Sequence, residues 1–190
     1  MGAPHTTDRT REQMVPAGRW RVIPDRSRIG FRVKNMGLYH VKGRFKGVEG
    51  ALDPTGRGEL VIDAGSVSTR IPPRDWHLRS SDFLNVRRHP EIRASVDSIE
   101  PAADGAVATV ALFDLHGERG PVRLRGHFHQ PPDADGNGSG RLLLHLHGEV
   151  DRRSFGIRAR PPFEWIVGRD VLLDVELALE STPADEAPQC

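Results

Sequence analysis

The run Val122-Arg123-Leu124-Arg125-Gly126-His127-Phe128-His129 alternates polar residues with apolar ones, a glycine taking one apolar position. A period of two places Val122, Leu124 and Phe128 on one face of a β-strand and the arginines and histidines on the other. Beyond a polar loop from Gln130 to Gly140, Leu142-Leu143-Leu144-His145-Leu146-His147 repeats the pattern with Leu142, Leu144 and Leu146 in phase. The two segments read as a hairpin with one face on a core and the other in water.

The same reading extends outward. Upstream, His116-Gly117-Glu118 turns back into a strand from Val107 to Leu115, and Asp104-Gly105 is a hairpin signal joining that strand to Ile92–Val96. Downstream, Val171 to Leu179 is a last alternating strand, with Asp174, Glu176 and Glu180 facing out. Near the start, Trp20–Ile23 opens a strand that Pro24-Asp25 turns, and Ile29, Phe31 and Val33 alternate with Arg28, Arg32 and Lys34. Val41, Phe45 and Leu52 lie in a strand interrupted by Gly43, Gly47 and Gly50, and such glycines bend a sheet toward closure. Asp53-Pro54-Thr55-Gly56 is a turn, and Leu60 to Ile71 is expected to return as a strand.

One segment breaks the pattern. Arg74-Asp75-Trp76-His77-Leu78-Arg79-Ser80-Ser81-Asp82-Phe83-Leu84 follows Pro72-Pro73 and runs without Gly or Pro until Pro90. Its apolar residues suit one or two irregular helical turns near residues 74–86. About eight or nine strands with a single helix predict an all-β fold, an antiparallel barrel of about eight strands whose end the helix borders. The expected division is a disordered tail over residues 1–18, the barrel over 19–182 and a second tail over 183–190.

Composition narrows the function. At 190 residues, with 27 basic and 26 acidic side chains, the chain has room for one core and no net charge that would favour nucleic acid. The sole cysteine, Cys190, excludes an intrachain disulfide framework. No stretch approaches a membrane span or a secretory leader, which gives the expectation of a cytoplasmic protein without membrane insertion.

Three sets of residues invite a functional reading. His127 and His129 on one strand and His145 and His147 on the next form a ladder that could share a metal ion, but their parity turns them to water beside Arg123 and Arg125, so no metal is expected. Asp133-Ala134-Asp135-Gly136-Asn137-Gly138 imitates half of a calcium loop, but its twelfth position is Leu144, not the required Glu. No nucleophile elbow, phosphate loop, dinucleotide fingerprint or metalloprotease pair is present, and the expectation is a protein that is not an enzyme. The alternative is a small-molecule enzyme or metal-dependent protein using His77 or the histidine ladder.

The aromatic and aliphatic residues give the third set. Phe31, Val33, Phe45, Leu124, Phe128, Leu144, Val175 and Leu177 are assigned inward by parity, and Phe113, Phe155 and Trp165 lie on strands or strand edges. Trp76, Leu78 and Phe83 would pack from the helix against one end. Together they line either a filled core or a pore.

Ser68-Thr69, Arg74-Asp75, His77-Leu78-Arg79-Ser80, Asp82-Phe83 and His89-Pro90-Glu91-Ile92 together resemble the central motif of the YceI-like family. The opening Trp20, Asp25, Ser27 and Phe31 are similar to that family's first strand pair. So are the Val41-x-Gly43-x-Phe45 step, the Leu115-His116-Gly117 turn before Pro121-Val122, and Arg153-Ser154-Phe155-Gly156-Ile157, where members often carry Asp at the Ser154 position. The resemblance covers about residues 19 to 182. It implies a lipocalin-like barrel holding a long apolar isoprenoid chain, a polyprenyl phosphate or a quinone-type lipid, without a cofactor. Arg74, His77 and Arg79 are then candidates to orient a head group at the mouth. The resemblance also allows a homodimer, built on a surface other than the acidic last strand.

Overall fold

The computed structural model describes residues 18–35, 37–129, 140–158 and 166–182. The two expected tails apart from Gly18, nearly all of the 130–140 loop with its calcium-like sequence, and Trp165 lie outside the described residues. Eleven strands follow one another as β1 (Arg19–Val22), β2 (Arg28–Asn35), β3 (Tyr39–Phe45), β4 (Val48–Leu52), β5 (Gly58–Asp63), β6 (Glu91–Val96), β7 (Glu100–Pro101), β8 (Val107–Leu115), β9 (Glu118–His129), β10 (Arg141–Asp151) and β11 (Val167–Thr182). The one α-helix among the described residues, α1, spans Pro72–Arg79 between β5 and β6.

The strands pair in the order β1, β4, β5, β6, β8, β9, β10, β11, and β11 pairs back onto β1, so eight strands close into a barrel with every neighbour antiparallel. The closing strand has two partners in succession. Its C-terminal part, Leu179–Thr182, pairs with β1, and its N-terminal part, Val167–Glu176, pairs with β2, which continues into β3. β1 and β2 are thus one wall strand broken by a 3-10 turn at Pro24–Arg26. At the break the ladder would lose its partners opposite Ala178. Ile23 N donates to Ala178 O at 2.8 Å, and the buried Ser27 hydroxyl accepts from Ala178 N at 3.0 Å, so the corner stays satisfied. A second break, between β3 and β4, frees the amides of Lys46 and Gly47, and Ser66 Oγ accepts both at 3.1 and 3.2 Å.

Alternation does the rest. Leu142, Leu144, Leu146 and Val150 of β10 are buried while Arg141, Leu143, His145 and His147 are exposed. β9 follows the same rule with Val122, Leu124 and Gly126 inward. The two strands approach closely, since a Cβ placed on Gly126 would overlap the His145 carbonyl, and one on Gly148 the Arg123 carbonyl. His116 and Gly117 both have positive φ, 59° and 82°, the geometry of the tight hairpin turn expected there.

Several boundaries differ from the sequence reading. The strand expected through Val41, Phe45 and Leu52 is two, β3 and β4, parted at Lys46 and Gly47. The strand expected from Leu60 to Ile71 ends at Asp63, where the Asp63 side chain accepts from Gly65 N and opens a 3-10 turn over Ala64–Ser66. Local side-chain bonding wins over continued alternation there. The helix starts at Pro72, two residues early, because a proline at the first turn costs no hydrogen bond, and it stops at Arg79. The last strand is longer than alternation suggested and runs from Val167 to Thr182.

Gly126→Ala is expected to destabilise the fold by at least ~1–3 kcal/mol, the usual cost of overpacking, because the clash is with backbone that cannot rotate away. Urea unfolding followed by tryptophan fluorescence measures it; an unchanged midpoint would show that β9 and β10 are not held this closely.

Candidate functional site

The wall residues that face inward divide the barrel into two halves. At the end carrying α1 and the β8–β9 hairpin, Phe45, Val48, Val67, Val122, Val150 and Phe155 are buried, with Phe31, Leu115, Val171 and Leu173 packed against them. The Phe31 ring lies over Gly43, where any Cβ would overlap it, and its centroid is 5.7 Å from that of Phe45. This half is filled by its own side chains.

The other half, toward the Asp53–Arg57 turn, holds an apolar cavity of about 60 Å³. Its wall is made by Leu52 of β4, Gly58, Leu60 and Ile62 of β5, Ala94 and Val96 of β6, and Ile99. Thr109, Ala111 and Phe113 of β8 continue it to Leu124 of β9, Leu144 and Leu146 of β10, and Val175, Leu177 and Leu179 of β11, with Val22 and Ile29 closing the ring. Two small alanines on neighbouring strands, Ala94 opposite Phe113 and Ala111 opposite Val96, leave the space. Polar groups are few. Thr109 is buried and its hydroxyl is spent on Ser98 O at 2.6 Å; Glu59, at the rim, is exposed and on the outward parity of β5. Such a site can enclose apolar atoms, and it offers no nucleophile or acid–base pair.

Five sequence-assigned residues line this cavity: Phe113, Leu124, Leu144, Val175 and Leu177. Phe45 and Phe155 are buried in the filled half, and Phe31, Phe128 and Val33 are half-buried outside the cavity. Parity finds which residues point inward, but not where inward space is left over. The cavity residues missed by sequence, notably Ala94, Ala111 and Gly58, are small ones, and their signal is the absence of bulk at inward positions.

The helix borders one end of the barrel as expected, but none of the six candidate residues of that segment lines the cavity. Trp76 projects to solvent, 73% exposed, while Leu78 and Phe83 are half-buried, Leu78 against the core and Phe83 edge-on to His77. Arg74 donates to the Thr69 hydroxyl at 2.8 Å, and Arg79 donates to the carbonyls of Gly65 and Val67 at 2.7 and 2.6 Å. His77 stands 3.3 Å from Asp82. These polar groups pin α1 to the segment that precedes it, at the end of the barrel away from the cavity, so a head-group role for Arg74 or Arg79 would compete with bonds already made.

Asp75 is the centre of that clamp. Its Oδ1 accepts from Thr69 N at 2.6 Å and from the Thr69 hydroxyl, and its Oδ2 from the Ser68 hydroxyl at 3.2 Å. Burial alone would raise its pKa, but the Thr69 hydroxyl, the Thr69 amide and Ser68, with Arg79 nearby, outweigh it and hold the carboxyl below the ordinary value. The clamp fixes Arg70 at φ 64°, a left-handed conformation unusual for a side chain of this size. On the neighbouring hairpin, His116 is held below the ordinary histidine value by burial and by His89, whose ring centroid is 5.0 Å away. A comparable clamp uses Arg152, which is buried and donates to the carbonyls of Ile157, Val167 and Gly168. The sequence motif points instead to Arg153, its exposed neighbour.

The four histidines of the ladder are exposed on the outer wall, as their parity implied. His145 is opposite His127 across β9 and β10, and carboxylates from β11 join them, Asp174 lying 2.5 Å from His145 Nε2.

Comparison with known proteins agrees with this architecture. The model of the YceI-like domain family matches residues 20–179. A UPF0312 protein of Pectobacterium carotovorum is 32% identical over 136 residues, 68% of this chain and 69% of the relative. A UPF0312 protein of Pseudomonas aeruginosa is 35% identical over 104 residues, and there the chain spans about half the relative's length, 53%. Among solved structures, Burkholderia cenocepacia BcnA superposes with a TM-score of 0.71 at 18% identity, covering 83% of this chain and 98% of that one. A polyisoprenoid binding domain from Saccharophagus degradans, implicated in plant cell wall breakdown, superposes at 0.63 with 16% identity, covering 86% and 98%. At these identities the structural likenesses speak to the fold.

Asp75→Asn is expected to cost ~1–3 kcal/mol at neutral pH through bonds left unmade. Asp75 and His116 both have lowered folded-state pKa values, so each contributes stability that is present above its ordinary pKa and lost as pH falls through the folded one. Denaturant unfolding should therefore show wild-type stability falling on acidification, first through the histidine range and then through the carboxylate range. Asp75→Asn should flatten the second step; a variant with the wild-type acid limb would remove Asp75 from that role.

Proposed function

The chain belongs to the YceI-like domain family, and on that footing we propose that it binds an apolar isoprenoid or similar lipid chain in the barrel without catalysing a reaction on it. The observation that carries this reading is the cavity, walled almost wholly by aliphatic side chains and the Phe113 ring. Each methylene transferred from water to such a wall gains about 0.8 kcal/mol, so affinity grows with chain length and needs few polar contacts. A relative in fold is a polyisoprenoid binding domain, which supports the same class of ligand for this chain.

The volume adds a condition. About 60 Å³ is well below the ~150 Å³ of an apolar cavity that takes up a benzene ring, so a long chain enters only if the wall parts. The ring is weakest beside the cavity. β1 and β4 pair only at Trp20–Leu52 and Arg21–Ala51, whereas β10 and β11 stay in register from Arg141–Glu180 to Asp151–Asp170. We read the β1–β4 seam as the place where the wall opens. Binding is thus an exchange of wall packing for ligand packing, in which Leu124, Leu144, Val175, Leu177 and Phe113 touch the chain.

Among the described residues no helix is long and apolar enough to cross a membrane. Native mass spectrometry of the purified chain with prenols of increasing length tests the proposal. Affinity should rise with length and then level off; absence of any complex would defeat it. Leu144→Trp and, separately, Ala111→Leu should each weaken uptake at least tenfold while changing stability by less than the ~1–3 kcal/mol of overpacking a solid core. A sharp loss of stability with unchanged binding would mean that the ligand does not use this cavity.

A further inference from the structure

The outer wall across β9, β10 and β11 carries a set of side chains that neither the cavity nor the α1 clamp uses. Register places His127 directly opposite His145, and His145 directly opposite Glu176. Directly opposed residues share a face with Cβ atoms about 5 Å apart. Asp174 is two residues from Glu176 along β11 and therefore on the same face, with its Oδ1 2.5 Å from His145 Nε2. The donor atoms of His145, Asp174 and Glu176 all lie within 4.8 Å of one another.

We propose that His145, Asp174 and Glu176, with His127 as a fourth donor, form a surface binding site for a divalent transition-metal ion of the zinc type. Two imidazoles and two carboxylates make a neutralising nitrogen–oxygen set, with bonds of about 2.0–2.2 Å to zinc. A tetrahedron of that size separates its donors by roughly 3.3–3.5 Å. The three donors within 4.8 Å need only small rotamer changes, and His127, opposite His145 but outside that group, has to turn in as the fourth. The imidazoles select against magnesium and calcium, which take oxygen ligands. The backbone under the site is already fixed, because β9, β10 and β11 are in continuous register through these positions. Only side-chain freedom is lost on binding, and the ion ties three strands together from outside.

One competitor is built in. Arg28, opposite Glu176 on β2, is bonded to the Glu176 carboxylate and must release it for the ion to bind. Removing Arg28 should strengthen the site, an effect that no damage to the fold would produce. His147, opposite Asp174, and Arg125, opposite His147, flank the site.

The test uses the full chain without a histidine tag, stripped with a chelator and titrated calorimetrically with zinc in a non-coordinating buffer, with thermal unfolding measured alongside. The expected result is about one ion per chain with micromolar affinity, a melting temperature that rises with zinc, and no response to magnesium. His145→Ala and Asp174→Asn should each weaken binding by roughly tenfold or more while melting like the wild type in chelator. Arg28→Ala should tighten it several-fold. Zinc affinity no better than millimolar, or the same affinity in the wild type and His145→Ala, would overturn the site and assign any bound ion to other histidines. Should His145→Ala not fold, Arg28→Ala and His127→Gln decide, and unchanged affinity in both overturns it equally.

Discussion

The structure depends on closing a ring of hydrogen-bonded strands without leaving backbone groups unpaired. β11 makes this possible by serving β2 along one part of its edge and β1 along the next. Where the partner changes, Ile23 N and the Ser27 hydroxyl take the place of ladder bonds at Ala178. Each buried group left without a partner would cost about 1–3 kcal/mol, enough to open the barrel at this corner. Ser66 does the same for Lys46 and Gly47 where β3 gives way to β4. Short polar side chains at kinks are therefore as necessary to the wall as the apolar ones inside it.

Closure also decides where there is room. Long strands and aromatic residues fill the half beneath α1, and Ala94 and Ala111 leave space in the other half. The most specific motif of the chain, Arg74-Asp75 with His77-Leu78-Arg79, belongs to the filled half. Its carboxylate and guanidinium groups are turned back onto residues 65–69 and hold α1 in place. A motif can thus identify a family through the fold it stabilises while making no contact with the cavity.

A small cavity in an all-antiparallel wall gives binding a particular character. Affinity comes from apolar area and rises with chain length, but the first cost is moving side chains that already pack well. A wall with one short seam and one long, continuous pairing has a natural place to yield. The exposed face has a separate chemistry, because register there brings histidines and carboxylates from neighbouring strands into one group.

Much of this was legible from residue order. Period-two alternation in Val122–His129 and Leu142–His147 set strand identity and the inward face, since successive strand side chains point to opposite sides. The glycine-bent segment from Val41 to Leu52 announced curvature, and His116-Gly117 announced its turn, since that geometry needs positive φ. Side-chain parity even placed the four histidines outside. Tertiary structure alone decided the rest. Whether inward residues meet each other or leave space depends on summed volumes across the ring, so Phe31 and Phe45 fill while Phe113 and Leu144 line a cavity. Trp76 faces water because Asp75, next to it, is the residue drawn inward. Asp174 and Glu176 join His145 only because β10 and β11 pair in one register, and a shift of one residue would have turned them to opposite faces.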